Sequence, residues 1–366
     1  MARLDMARLR ATATSTEARA LLIAAIALVV GAGLGFLFIG GESVPISGRG
    51  SLGSTAALVA GGLTLVVFTV GYLLPGPGAA RRIHPDRSRF RLVLDTVALA
   101  VAHASITLLL LLVAASTLQD AFIDAVVFPV SAALLVGVAA SLAGYFTYLS
   151  ASGMTTSHLA TVFALYLLLG VVTSMLFASD PHWWKSNLSA LGMHQDFSSV
   201  TFNVTLIIGG IIITAISSYL TAELEAGSLT QAPSDGDVVP ARRRIRSIRT
   251  TFILLGIFLA CVGFFPVSWN ELVHVFFATG LLVIFFQLVI RIHRLVPGLS
   301  RTFITTGYVF IAVVAGATAF YFLGYYNLTA VEIIGFVIIF AWLIIFIRNI
   351  SARSVDAAME GLTPRG

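Results

Sequence analysis

The chain has 366 residues, of which 58% are hydrophobic and only 11% charged, and its formal net charge is +5. An ordinary soluble domain carries about 25% charged residues, so this chain cannot cover a water-facing surface, which excludes a soluble enzyme. The positive residues sit in short blocks beside apolar runs, a pattern that suits topology signals and contacts with membrane lipids and gives no ground for nucleic-acid binding.

Ten apolar stretches predict an all-α polytopic bundle: 21–40, 56–74, 93–116, 122–148, 159–178, 200–220, 251–267, 272–292, 303–323 and 328–347. The first follows Arg3, Arg8, Arg10 and Arg19 and has the outline of a secretory signal. Its apolar run is too long for a signal core and no cleavage site follows, so it is read as an uncleaved span. Within it, Gly31 and Gly35 are spaced for helix packing. The fourth stretch is long enough that it should tilt or project beyond the hydrocarbon. The seventh is short, and Pro266 near its end suits a helix exit at the membrane surface. The alternation of a membrane β-barrel is absent.

Arginine sets the orientation. With the N-terminus inside, cytoplasmic segments carry 20 Lys+Arg and the opposite segments only Arg49 and Lys185. That split follows the positive-inside rule and places both termini in the cytoplasm. The longest inside loop, 222–249, runs from Glu223 and Glu225 through a small polar stretch to Arg242, Arg243, Arg244, Arg246 and Arg249. Its middle should be mobile, and its basic end either anchors topology or binds anionic head groups. No Walker A sequence is present. Cys261 is the single cysteine and cannot form an internal disulfide.

Polar residues collect in the outside loop 179–199, which holds Asp180, His182, Trp183, Trp184, Lys185, Ser189, His194 and Asp196. Trp183 and Trp184 suit the head-group layer or the lip of a cleft for a lipid chain. Asn203, Glu271, His274 and Glu332 fall at the same membrane level, and Asp120 and Asp124 edge the fourth span from outside. Ionisable groups within spans face a bundle interior or a watery cavity. An outward-facing pocket lined by Asp180, His182, His194, Asn203, His274 and Glu332 is therefore expected. Asp180, His182, His194 and His274 could also supply nitrogen and oxygen ligands to zinc. Ser189 is either a nucleophile or a turn residue. His103, near the middle of the third span, reads as an interior hydrogen-bonding residue. Haem would need a second histidine at the same depth, and His103 has none.

Three segments together resemble a known family: Ser189-Ala-Leu-Gly192 after Asn187; Phe202-Asn203 with Gly209-Gly210; and Val262-Gly-Phe-Phe-Pro266 followed by His274 and Ala278. This is similar to the multi-spanning membrane family called domain of unknown function 998, over about residues 159–347. Ala190 stands where that family usually has an acidic residue, and the turn after Pro266 lacks the family's acidic and cysteine residues. The resemblance implies a six-span domain in residues 151–350, preceded by a four-helix extension in 1–150 and followed by a cytoplasmic tail, 351–366. Its activity is unassigned, and its layout is similar to six-span families tied to lipid remodelling and lipid asymmetry.

The sequence-based expectation is a multi-pass plasma-membrane protein that binds, moves or senses a lipid or lipid-linked substrate. The alternatives are a membrane hydrolase or transferase, with or without metal, acting on lipid, and a structural subunit with a protein partner in an envelope complex. The excess of Arg over Lys, with abundant Ala and Gly, points to a GC-rich bacterial source.

Overall fold

The computed structural model describes residues 2–74, 89–231 and 238–360, with side chains for 14–74, 89, 92–225 and 241–353. The side chains of Arg3, Arg8 and Arg10, most of the 75–91 loop, the centre of the 222–249 loop and the end of the C-terminal tail lie outside what is so described. Among the described residues, ten helices are long and apolar enough to cross a membrane. The protein is an all-α polytopic membrane protein, and its chain divides into two compact units between Met154 and Thr155.

The first unit contains α1 (Ala2–Ile39), α2 (Leu52–Leu73), α3 (Arg89–Ala121) and α4 (Pro129–Ser152). α1 lies against α4, and α2 lies against both α3 and α4. Glycine sets the closest approach. A Cβ on Gly31 would stand 2.7 Å from that of Ala140, and one on Gly137 would stand 2.6 Å from the Leu28 carbonyl oxygen. The Gly31/Gly35 face is thus the surface that receives α4. Two short strands, β1 (Val44–Pro45) and β2 (Val126–Val127), pair antiparallel across one end of the unit. The Gln119 carbonyl oxygen accepts from the Ile46 and Ser47 amides at 3.1 Å each and holds that end together.

The fourth span is shorter than expected. Residues 122–128 form the turn and strand between α3 and α4, with Asp124 at φ 57°. The helix begins at Pro129, whose missing N–H and fixed φ suit a first helical position.

The second unit contains α5 (Thr156–Leu176), α6 (Phe197–Gln231), α7 (Val238–Phe264), α8 (Glu271–Leu295), α9 (Arg301–Phe322) and α10 (Leu328–Glu360). α6 and α7 pack closely: a Cβ on Gly210 would meet the Gly256 carbonyl oxygen at 2.2 Å. α10 touches α5, α6, α8 and α9. On α10 the buried Trp342 stacks on Phe346 at 5.4 Å and meets Phe285 edge-on.

Much of the expected 222–249 loop is helical. α6 continues to Gln231, and α7 starts at Val238. Ile245 and Ile248 bury one side of this extension while the intervening arginines, good helix formers, keep the helix going. The seventh span is accordingly not short. It still ends as expected, at Phe264, two residues before Pro266.

Candidate functional site

The α5–α6 connection is folded by polar contacts. Ser174 and Ser198 hydrogen-bond side chain to side chain at 2.9 Å and join the end of α5 to the start of α6. Asp196 caps α6 by accepting from the Ser199 amide at 2.8 Å, and it also accepts from the Ser179 hydroxyl. Partial burial pushes the Asp196 carboxyl up. The hydrogen bonds from the Ser179 hydroxyl and the Ser199 and Ser179 amides, with His194 nearby, outweigh that and hold it below its ordinary value.

Two 3-10 turns follow α5, at Trp183–Lys185 and Leu188–Gly192. The first is tied to α10: the Asn327 side-chain amide donates to the Trp184 carbonyl at 2.9 Å, while its own carbonyl accepts from the Ala330 amide. The second turn is held from three helices. Glu332, on the first turns of α10, accepts from the amides of Leu188 and Ser189. Asn203, one turn into α6, donates to the Gly192 carbonyl at 3.0 Å. On α8, His274 Nε2 lies 2.9 Å from Ser189 Oγ.

The second nitrogen of His274 fixes the direction of that last bond. Nδ1 lies 2.8 Å from the carbonyl oxygen of Phe265, at the C-terminal end of α7. A carbonyl only accepts, so Nδ1 carries the proton. In the neutral ring Nε2 is then a bare acceptor and the Ser189 hydroxyl donates to it. The helix ends explain how the pair is built. Pro266 ends α7 and leaves the Phe265 carbonyl without a helical partner, and Asn270 starts α8 by capping the Val273 amide at 3.1 Å. His274 stands one turn later, 4% exposed, where it can take that carbonyl. Ser189 is half-buried.

Of the six residues expected to line one pocket, Asn203, His274 and Glu332 converge on the Leu188–Gly192 turn. Asp180, His182 and His194 do not. Asp180 accepts from the His182 amide at 2.8 Å, and the two side chains approach only to 4.0 Å, largely in solvent. His194 is exposed beside Asp196, Trp184 is exposed and Trp183 is half-buried. The expected zinc set of His182, His194, His274 and Asp180 does not form. Among the described residues no three His, Cys, Asp or Glu side chains gather as a metal would require. Both nitrogens of His274 are already engaged, and the other three residues lie along the exposed turn.

Sequence reasoning missed three contributors. The Phe265 carbonyl is backbone and carries no residue-type signal. Asn187 and Thr329 each hold a buried side-chain oxygen without a hydrogen-bond partner. Thr329 lies three residues before Glu332, on the same helix face, which is the signal that could have found it. Comparison with protein families, curated proteins and solved structures finds no match to the chain.

Proposed function

We propose that this integral membrane protein binds a lipid or lipid-linked substrate at the Leu188–Gly192 turn, on the extracytoplasmic side of the plasma membrane. The observation that carries this reading is the convergence of Asn203, His274 and Glu332, from three different helices, on one short turn in which Ser189 alone is half-buried and the other four residues are buried. In the connections at that end of these helices, the aromatic side chains of Trp184, Trp269, Phe322 and Tyr325 are exposed. Aromatic rings of that kind settle at the head-group layer. A polar turn framed by them meets the head group and glycerol region of a lipid, where hydroxyl, imidazole and carboxylate side chains have partners. The arginine asymmetry along the sequence supports the outward orientation.

The test is native mass spectrometry of the full chain released from mild detergent with phosphatidylglycerol or phosphatidylethanolamine. Wild type should retain lipid, and His274→Ala with Glu332→Ala should retain about tenfold less, a loss of 1.4 kcal/mol in affinity. Equal retention by the two proteins overturns the reading. An impermeant maleimide applied to intact cells should label His194→Cys; labelling only after lysis reverses the orientation.

A further inference from the structure

We propose that Ser189 is a nucleophile with His274 as its general base, and that the site cleaves or transfers the acyl group of a lipid ester. This rests on the lipid-binding reading above and names the chemistry done there. Four observations carry it. Ser189 Oγ and His274 Nε2 are 2.9 Å apart, within reach for direct proton transfer. The Nδ1 proton is engaged at the Phe265 carbonyl, 2.8 Å away, so the lone pair of Nε2 faces the serine, and the base has the orienting third group that an activated serine requires. Ser189 is half-buried, and the imidazole behind it is 4% exposed and shielded from water. Glu332 holds the amides of Leu188 and Ser189, which fixes the turn and with it the direction of the serine side chain. Glu332 is therefore a positioning residue.

The depth selects the substrate class. A turn at the level of the interfacial aromatics faces the ester linkages of a glycerolipid, not the middle of its chains. Ser189 Oγ attacks the ester carbonyl carbon as its proton passes to His274 Nε2. The bond from that carbon to the glycerol oxygen breaks, and Nε2 returns the proton to the departing alcohol. The acyl group is left on Ser189. Water, or the hydroxyl of a second lipid, then attacks the acyl-serine, gives its proton to Nε2, and releases a fatty acid or a transferred ester. Ser189 recovers its proton, and no oxidant or metal enters the balance.

A fluorophosphonate probe, applied to the full chain in nanodiscs of phosphatidylglycerol and phosphatidylethanolamine, tests this. Peptide mass spectrometry should place one adduct on Ser189 in wild type. The adduct should fall at least tenfold in Ser189→Ala and in His274→Gln and be unchanged in Ser150→Ala. The adduct is mapped on wild type, so the result does not depend on whether a variant folds. Wild type that retains lipid in native mass spectrometry yet gives no adduct overturns the nucleophile and leaves a structural hydrogen bond. An adduct on Ser189 in a protein that retains no lipid overturns the lipid-binding reading alone.

Discussion

His103 in the first unit and His274 in the second make the same two hydrogen bonds. His103 directs Nδ1 to the Leu99 carbonyl at 2.8 Å and lies 2.9 Å from Ser150 Oγ through Nε2. His274 does the same with the Phe265 carbonyl and Ser189. A serine–histidine contact is therefore no sign of chemistry by itself, and the difference lies in what holds the serine. Ser150 belongs to α4, which apolar contacts against α1 and α2 keep in place, and the His103 ring rests on the buried Phe68 at 4.5 Å. Leu99 is one turn back in the same helix, so that pair would survive any loss of polar contacts elsewhere. Ser189 rides on a short 3-10 turn that buries Leu188 and Leu191 and is tied to three helices by Glu332, Asn203 and His274. One arrangement satisfies polar groups between two long helices; the other ties a short turn, whose leucines are buried, to three helices by polar bonds.

Removing both partners at each pair is the largest test of that contrast. Replacing both members of a buried hydrogen bond with apolar groups of similar shape is nearly neutral for stability, whereas removing one costs about 1–3 kcal/mol. Ser150→Ala with His103→Phe should leave the melting temperature in detergent essentially unchanged and lipid retention within about twofold of wild type. Ser189→Ala with His274→Phe should fold and lose lipid retention by about tenfold or more, measured by native mass spectrometry. Equal losses from the two double variants would erase the distinction between the pairs.

A smaller effect is expected from Glu332→Gln, which keeps the shape and one acceptor but removes the charge. Hydrogen bonds to charged groups contribute about 1.5–3 kcal/mol and neutral ones about 0.5–1.5, so the turn should loosen by about 1 kcal/mol. Hydrogen exchange at residues 183–196 should quicken by about fivefold while exchange in α4 stays unchanged. The fluorophosphonate adduct should still form at Ser189, more slowly. Unchanged exchange in the turn would show that Glu332 does not position the serine.

How much of this was legible follows from which forces leave a trace in residue type. The ten spans are written in apolar runs, and the structure shows ten helices at those places. Errors fell at the ends. Residues 122–128 are as apolar as a helix, but Pro129 and the left-handed Asp124 make them a turn and strand. The arginines at 242–249 look like a loop by charge and are helical because Ile245 and Ile248 are buried between them. At the site, Asn203, His274 and Glu332 stood out as polar residues in spans. Asp180, His182 and His194 were grouped with them by sequence proximity, and a solvent-facing turn sends neighbouring side chains in different directions. The Ser189–His274 contact spans 85 positions and is completed by a backbone carbonyl, and neither feature can be read from a single sequence.

The smallest effect concerns how each unit ties down a connection. In the first unit, Gln119 uses a neutral amide to hold the Ile46 and Ser47 amides. In the second, Asp196 uses a carboxylate to hold Ser179 and the start of α6. The folded Asp196 carboxyl lies below its reference value of 3.8, so the folded state binds its proton less readily than the unfolded chain. Its stabilisation is fully present above about pH 4 and is lost as pH falls through the folded value. The group is partly exposed, and salt and solvent limit the effect to under about 1 kcal/mol. Asp196→Asn keeps a good helix cap and removes the charge. Between pH 6 and pH 3, hydrogen exchange in residues 177–199, corrected for intrinsic rates, should quicken in wild type and stay flat in Asp196→Asn, while residues 44–52 behave alike in both proteins. A parallel response of the two connections to acid would mean that the carboxylate and the amide are interchangeable there, and that the second unit's polar turn has no acid-sensitive anchor.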